Sequence, residues 1–261
     1  MSIPFIIHRT LQEMTIPFTI SLAVTDRAAG APLLTQAAEQ VSTALARINR
    51  LYSPFRETSL VRRFQAGDQG LLLTEPEFQE IYAATLAAAH YTQGDFDPFF
   101  NGAFDPTGYV KGWAVEQITT AFLTPLLANP RVIAVSLNGG GDLQAATRPD
   151  SAFTWHIGIE DPANPQRIIA AYELANGAVA TSAENKRGHH IRHTGPGDLA
   201  QVTVLADHLA DADVWATAGM AGGEARWQTH LADNQLTGLY ITADRVLHPF
   251  TKGAIRDVQT A

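Results

Sequence analysis

The stretch RVIAVSLNGGGD, residues 131–142, does most to restrict the fold: an apolar run of strand length empties directly into three glycines and an acid. A short continuous apolar run bounded by a turn signal reads as a buried strand. Earlier, FTISLAV (18–24) is rich in β-formers and reads as a first strand. TQAAEQVSTALARINRLYS then carries Ala38, Val41, Leu45, Ile48 and Leu51 at helical spacing, an amphipathic helix.

PFRETSLVRRF turns the chain, with Thr58 or Ser59 placed to cap a short helix. EPEFQEIYAATLAAAHYTQG predicts a second long helix, with Pro76 in its first turn and Gly94 to close it. Residues 94–108 read as a loop, followed by a helix over VKGWAVEQITTAFL. TWHIGIE, RIIAAYEL, GAVATS, QVTVLA and LTGLYITA predict strands, and ADVWATAGMAGG a small-residue helix ending at Gly222. Helices beside short, hairpin-like strands predict an α+β fold, with mixed or antiparallel sheets and packed helices, rather than a parallel βαβ repeat. A boundary between two lobes is expected near Pro130, within a single domain spanning 1–261.

Composition narrows the function. With 46% hydrophobic and 17% charged residues among 261, the chain can bury a sizeable core. A formal net charge of −8 argues against a sequence-independent nucleic-acid binder, which needs a basic stripe to displace counterions. It leaves room for a nucleotide, because local donors or a metal ion can reverse the field in one pocket. The absence of cysteine removes disulfides, thiolate metal sites and cysteine nucleophiles. The opening MSIPFIIHRTLQEM has no basic leader with an apolar run, and no segment approaches the roughly 20 apolar residues of a membrane span. The expectation is a soluble cytoplasmic protein.

Chemistry concentrates in particular stretches. In FDPTGYVKGWAV, Asp105 precedes a helix, Gly108 leaves the backbone unhindered, and Lys111 projects from the first turn, where anions are favoured. The plain alternative is an N-cap at Asp105 or Thr107 with a solvated lysine. In SLNGGGDLQA, Asn138, Gly139, Gly140 and Gly141 would let a backbone approach a phosphate or a flavin ring, or would simply turn a hairpin. The glycine spacing matches neither a dinucleotide fingerprint nor a P-loop. In AVATSAENKRGHHIRHTGPG, Thr181 and Ser182 end a strand ahead of His189 and His190. An imidazole suits proton transfer near neutral pH; a surface loop with solvated histidines is the plain alternative. In LADADVWATAGMAGG, Asp213 and Thr217 stand at i and i+4 on one helix face, an oxygen pair suited to magnesium, while Asp211 faces elsewhere. A capping acid with a back-bonding threonine is the alternative.

Together these stretches resemble the ApbE-type FAD:protein FMN transferases. DPTGYVKGWAV is similar to the family's Asp…Lys-Gly block, LNGGGDLQ to its Asn-x-Gly-Gly-Asp, and residues 179–195 to its VATS…HHI…TG block. Ala212, Asp213, Thr217 and Ala218 match its Ala-Asp-x-x-x-Thr-Ala metal block. YSPFRETSLVRRF, TQGDFDP and MTIPFTI resemble further family segments, in the family's order across nearly the whole chain. The chain departs from the pattern in three ways: Asp97 and Asp105 lie close together, an Asp-Pro is missing after His190-Ile191, and Thr15 and Ile16 replace the usual glycine and threonine.

The resemblance implies a two-lobed ApbE-like fold and transfer of FMN from FAD to a threonine of an acceptor flavoprotein, with AMP leaving. It implies Mg²⁺ held by Asp213, Thr217 and the Gly108 carbonyl. Met14, Asp97, Asp105, Lys111, Asn138, Gly139, Gly140, Gly141, Thr181, Ser182, His190 and Ile191 would bind FAD. Lys111 would act on phosphate and His190 as base for the threonine hydroxyl. Hydrolysis of FAD to FMN and AMP, and a flavin-binding protein without catalysis, remain open from the residues alone.

Overall fold

A computed structural model describes residues 3–183 and 194–256. A hairpin of β1 (Phe5–Glu13) and β2 (Ile16–Val24) opens the chain and feeds a long helix, α1 (Arg27–Tyr52). That helix starts well before the expected Thr35 because the Asp26 side chain accepts from the backbone N–H groups of Ala28 and Ala29. Three further helices follow: α2 (Leu60–Gln65), capped by Ser59, the short α3 (Leu71–Thr74), and α4 (Pro76–Tyr91), with Pro76 in its first turn as expected. Beyond α4, Gly94 takes φ +86 and turns the chain into a loop that leads to α5 (Thr107–Ile118). The expected continuation of α5 through TTAFL is a π-helical turn over Thr119–Leu123.

The remaining elements are mostly strands: β3 (Val132–Gly139), β4 (Asp142–Thr147), β5 (Trp155–Asp161), β6 (Asn164–Leu174), β7 (Gly177–Ala183) and β8 (Leu199–Ala206). Two helices, α6 (Leu209–Gly222) and α7 (Glu224–Asn234), precede β9 (Thr237–Thr242), β10 (Leu247–Thr251) and β11 (Ala254–Ile255). The main sheet has nine strands in the order β1-β2-β3-β4-β7-β8-β9-β10-β11. Its neighbours pair antiparallel. The β5–β6 hairpin leaves this order and forms a separate two-stranded sheet.

The apolar character of RVIAVSL has a direct cause: both faces of the sheet are covered. Val135 and Leu137 join the large core beneath α1, α5 and α6, while Ala134 packs with Trp155 of the β5–β6 hairpin on the opposite face. Farther along, Ile159 of the same hairpin covers Val179, Ala200, Leu239 and Ile241. Among the described residues no helix is long and apolar enough to cross a membrane.

Candidate functional site

The site begins at the mouth of α5. Asp105 Oδ1 accepts the Thr107 N–H at 3.0 Å and its hydroxyl at 2.6 Å, so the acid secures the first turn of the helix that carries Lys111. One residue beyond the lysine, Gly112 makes the next contact: a Cβ there would stand 2.9 Å from the Leu209 carbonyl oxygen and 3.1 Å from the Asp213 Cβ. Glycine therefore lets α5 lie directly on α6, and that approach carries the Lys111 ammonium to Asp213.

The lysine meets two acids. Its Nζ pairs with Asp142 Oδ2 at the start of β4 and lies 3.1 Å from Asp213 Oδ2 on α6. The lysine side chain is 11% exposed and both acids are 1% exposed. Two buried carboxylates around one ammonium leave an excess negative charge, which a low-dielectric interior tolerates poorly unless a further cation or donor compensates it. Asp213 Oδ2 is buried and accepts no aligned hydrogen bond among the described residues. Asp142 is better supplied, since its Oδ1 accepts the Thr181 N–H at 2.9 Å. One helical turn from Asp213, the Thr217 hydroxyl lies 3.5 Å from that of Ser182, which joins the end of β7 to α6. No three His, Asp or Glu side chains among the described residues cluster to hold a metal alone. A cation at Asp213 would therefore draw its remaining oxygens from Thr217, backbone, water and ligand, the pattern Mg²⁺ uses. The donor set fits that ion.

Asp105, Lys111, Ser182 and Thr217 border a cleft of about 1180 Å³. Small-molecule pockets run to roughly 300–1,000 Å³, so this one has room for a ligand of dinucleotide size. Its far wall includes the β1–β2 turn, where Met14 and Thr15 take φ of 49° and 65°. Positive φ at both central residues marks a type I′ hairpin turn, and neither side chain adopts it readily. The rim holds Phe55, 85% exposed, and Arg56 beside it.

Of the residues singled out from the sequence, Met14, Asp97, Asp105, Gly108, Lys111, Ser182 and Thr217 face this cleft. Asp213 lies beneath it, in contact with Lys111. Asn138, Gly139, Gly140, Gly141 and Thr181 are not among the residues that line it. Gly140 and Gly141, with φ of 63° and 102°, form the β3–β4 hairpin turn, and the Asn138 side chain accepts the Gly141 N–H. Gly139 packs on the core, where a Cβ would come within 2.7 Å of the Phe18 ring. The turn reaches the cleft only indirectly, through the contact of Gly140 with Ile16. Thr181 points to Thr203, with its hydroxyl at 2.9 Å. His189, His190 and Ile191 lie outside the described residues.

Two acids were missed. Asp142 stood in the quoted glycine motif, and the signal was its place at the head of a buried strand. Asp95, also on the cleft, accepts Thr194 Oγ1 at 2.6 Å, lies 2.9 Å from His230 Nε2 and pairs with Arg226 at 3.1 Å. Those partners lie about a hundred residues or more away along the chain, and no local pattern announces them. Asp211 faces a different hollow, beside Tyr109, Glu116 and His208. Burial raises the Asp211 carboxyl above its ordinary range and pushes the Tyr109 hydroxyl up to about 12.

The sequence pattern of the ApbE family matches residues 101–240. No curated protein matches the chain. Several solved structures do. The Vibrio cholerae flavin transferase ApbE superposes with a TM-score of 0.69 at 17% identity, over 95% of this chain and 97% of that one. The ApbE protein of Thermotoga maritima gives 0.75 at 18% identity, over 94% and 97%. The apo Pseudomonas stutzeri flavinyl transferase ApbE gives 0.72 at 18% identity, over 97% of both chains. At such identities the likeness is one of fold.

Proposed function

The chain belongs to the ApbE family, and on that premise we propose that it is a transferase which moves the FMN part of FAD onto a threonine of an acceptor protein and releases AMP. The observation that carries this reading is the convergence of Asp105, Lys111 and Thr217 on one cleft with Asp213 directly beneath. The solved proteins of like fold named flavin transferases support it.

In this reading the threonine oxygen attacks the phosphorus on the FMN side of the pyrophosphate. A new P–O bond forms, the bond to the AMP phosphate breaks, and the hydroxyl proton passes to a base, for which His190 is the proposed residue. Such transfers depend on positioning and charge neutralisation more than on covalent help. Lys111 is the cation proposed for the phosphates, and Asp105, held at the α5 terminus, the group proposed for a ribose hydroxyl or base edge. Asp213, Thr217 and the Gly108 carbonyl would hold Mg²⁺, which would neutralise charge on the pyrophosphate oxygens.

The test supplies FAD, Mg²⁺ and threonine-bearing acceptor proteins, and follows AMP by chromatography and the acceptor by mass spectrometry. Transfer predicts an FMN adduct on threonine with matching AMP. AMP and free FMN without an adduct would replace transfer by hydrolysis, and retained FAD without either product would make the chain a flavin carrier. Asp213→Ala is expected to lose AMP release; full metal-dependent turnover in that variant would overturn the metal assignment.

A further inference from the structure

Asp213, the acid proposed for the metal, already has a cation. Gly112 brings α5 so close to α6 that a Cβ there would meet the Asp213 Cβ at 3.1 Å, and the neighbouring Lys111 sets its ammonium 3.1 Å from Asp213 Oδ2. The acid is 1% exposed and the lysine side chain 11%. Asp213 Oδ2 accepts no aligned hydrogen bond among the described residues, so charge rather than hydrogen-bond geometry holds this pair. Lys111 and Thr217 line the cleft, whereas Asp213 does not. Mg²⁺ holds its oxygens at about 2.0–2.1 Å, so an ion on this carboxylate would stand within a few ångströms of the ammonium. Two cations that close in a buried site repel strongly. The ammonium is the one able to leave, because it sits on a flexible four-carbon stem.

We infer that Lys111 is the resident counter-ion of Asp213, and that its ammonium yields this carboxylate to a divalent cation and turns to the cleft, where it is free to meet phosphate. The inference rests on the proposed metal role of Asp213 and deepens it, because lysine and ion exchange on one acid. Before the exchange, one ammonium between the carboxylates of Asp142 and Asp213 leaves one excess negative charge. With a divalent cation in place the balance becomes one excess positive charge, which favours an anion. The lysine therefore holds metal affinity down until an anionic ligand takes the ammonium. By linkage, FAD and Mg²⁺ each tighten the binding of the other, and part of that coupling passes through Lys111.

Titrating Mg²⁺ into the FAD-free protein by calorimetry tests this, with circular dichroism to verify that each variant is folded. Lys111→Gln is expected to tighten Mg²⁺ binding on the order of tenfold or more, as loss of one unit charge a few ångströms away would at an effective dielectric of about 20. Unchanged or weakened binding in Lys111→Gln, with binding lost in Asp213→Ala, would leave the metal site standing and overturn the exchange. Undiminished binding in Asp213→Ala would instead sink the metal assignment, and this inference with it. FAD titrations with and without Mg²⁺ read the second half of the inference. The gain in FAD affinity that Mg²⁺ confers is expected to shrink by about threefold or more in Lys111→Gln; an equal gain in both proteins would overturn the release of the ammonium. Should Lys111→Gln not fold, the unsubstituted chain still decides. Its three lysines, at 111, 186 and 252, give few NMR signals when their side chains are labelled, and Lys186→Gln and Lys252→Gln assign them. Mg²⁺ is expected to shift the Lys111 signal, and saturation with Mg²⁺ that leaves it unmoved would overturn the inference.

Discussion

Gly112 is the residue on which the geometry of the site turns. It stands where α5 touches α6, and a methyl group there would meet backbone at Leu209 as well as the Asp213 side chain. A backbone carbonyl cannot rotate away as a long side chain can. Gly112→Ala is therefore expected to lower stability by about 1–3 kcal/mol, the usual cost of overpacking, measurable by urea denaturation. It should also part the helices, so that Lys111 and Asp213 separate and AMP release from FAD falls with it. Asp105 and Lys111 were legible as a polar pair at a helix start, because caps and first-turn charges have local signatures. The reason for the glycine between them and α6 was not legible, because its neighbour lies about a hundred residues further along the chain.

The seam between α5 and α6 also joins at the far end from the cleft. Glu116 on α5 accepts the Ala210 N–H with one oxygen at 3.2 Å and lies 2.9 Å from His208 Nδ1 with the other, closing the open N-terminus of α6. A helix N-terminus by itself disfavours a protonated imidazole. The hydrogen bond to Glu116, reinforced by its charge, wins and raises the His208 pKa above its ordinary 6.5. A raised folded value means that this contribution to stability is fully present below pH 6.5 and fades as pH rises through the folded pKa. Glu116→Gln keeps an oxygen for Ala210 but removes the charge. Its His208 midpoint, read by NMR, should fall back toward the ordinary value, and a midpoint unchanged from that of the unsubstituted chain would contradict this account. Helix α6 was visible in the sequence as a small-residue segment with an acid and a threonine on one face. Its start at Leu209 and its cap were not, since the capping group sits on another helix.

Across the whole molecule, the main sheet takes strands from both ends of the chain: β1 and β2 at one side, β9, β10 and β11 at the other. The core beneath it joins Phe18 and Val41 to Trp227 and Phe250. We expect residues 1–261 to unfold as one unit, with far-ultraviolet circular dichroism and tryptophan fluorescence giving coincident thermal transitions. Two separated transitions would divide the chain into independent domains. FAD with Mg²⁺ should move that transition upward, since ligand at about a hundredfold its dissociation constant adds roughly 2.7 kcal/mol.

The sequence by itself determined the class of fold and much of the list of actors. Hydrophobic period and turn chemistry are local, so β3, α4 and the Gly140–Gly141 turn could be read from neighbouring residues. Family motifs pointed to Asp105, Lys111, Asp213 and Thr217 for the same reason: each block is contiguous. Only the tertiary structure decided which members of a block turn toward the cleft. It set Gly140 and Gly141 to turning a hairpin, brought Asp142 to Lys111, and joined Asp95 to His230. Those outcomes depend on how sheet and helices pack, and packing is settled by contacts between residues that no short window of sequence contains.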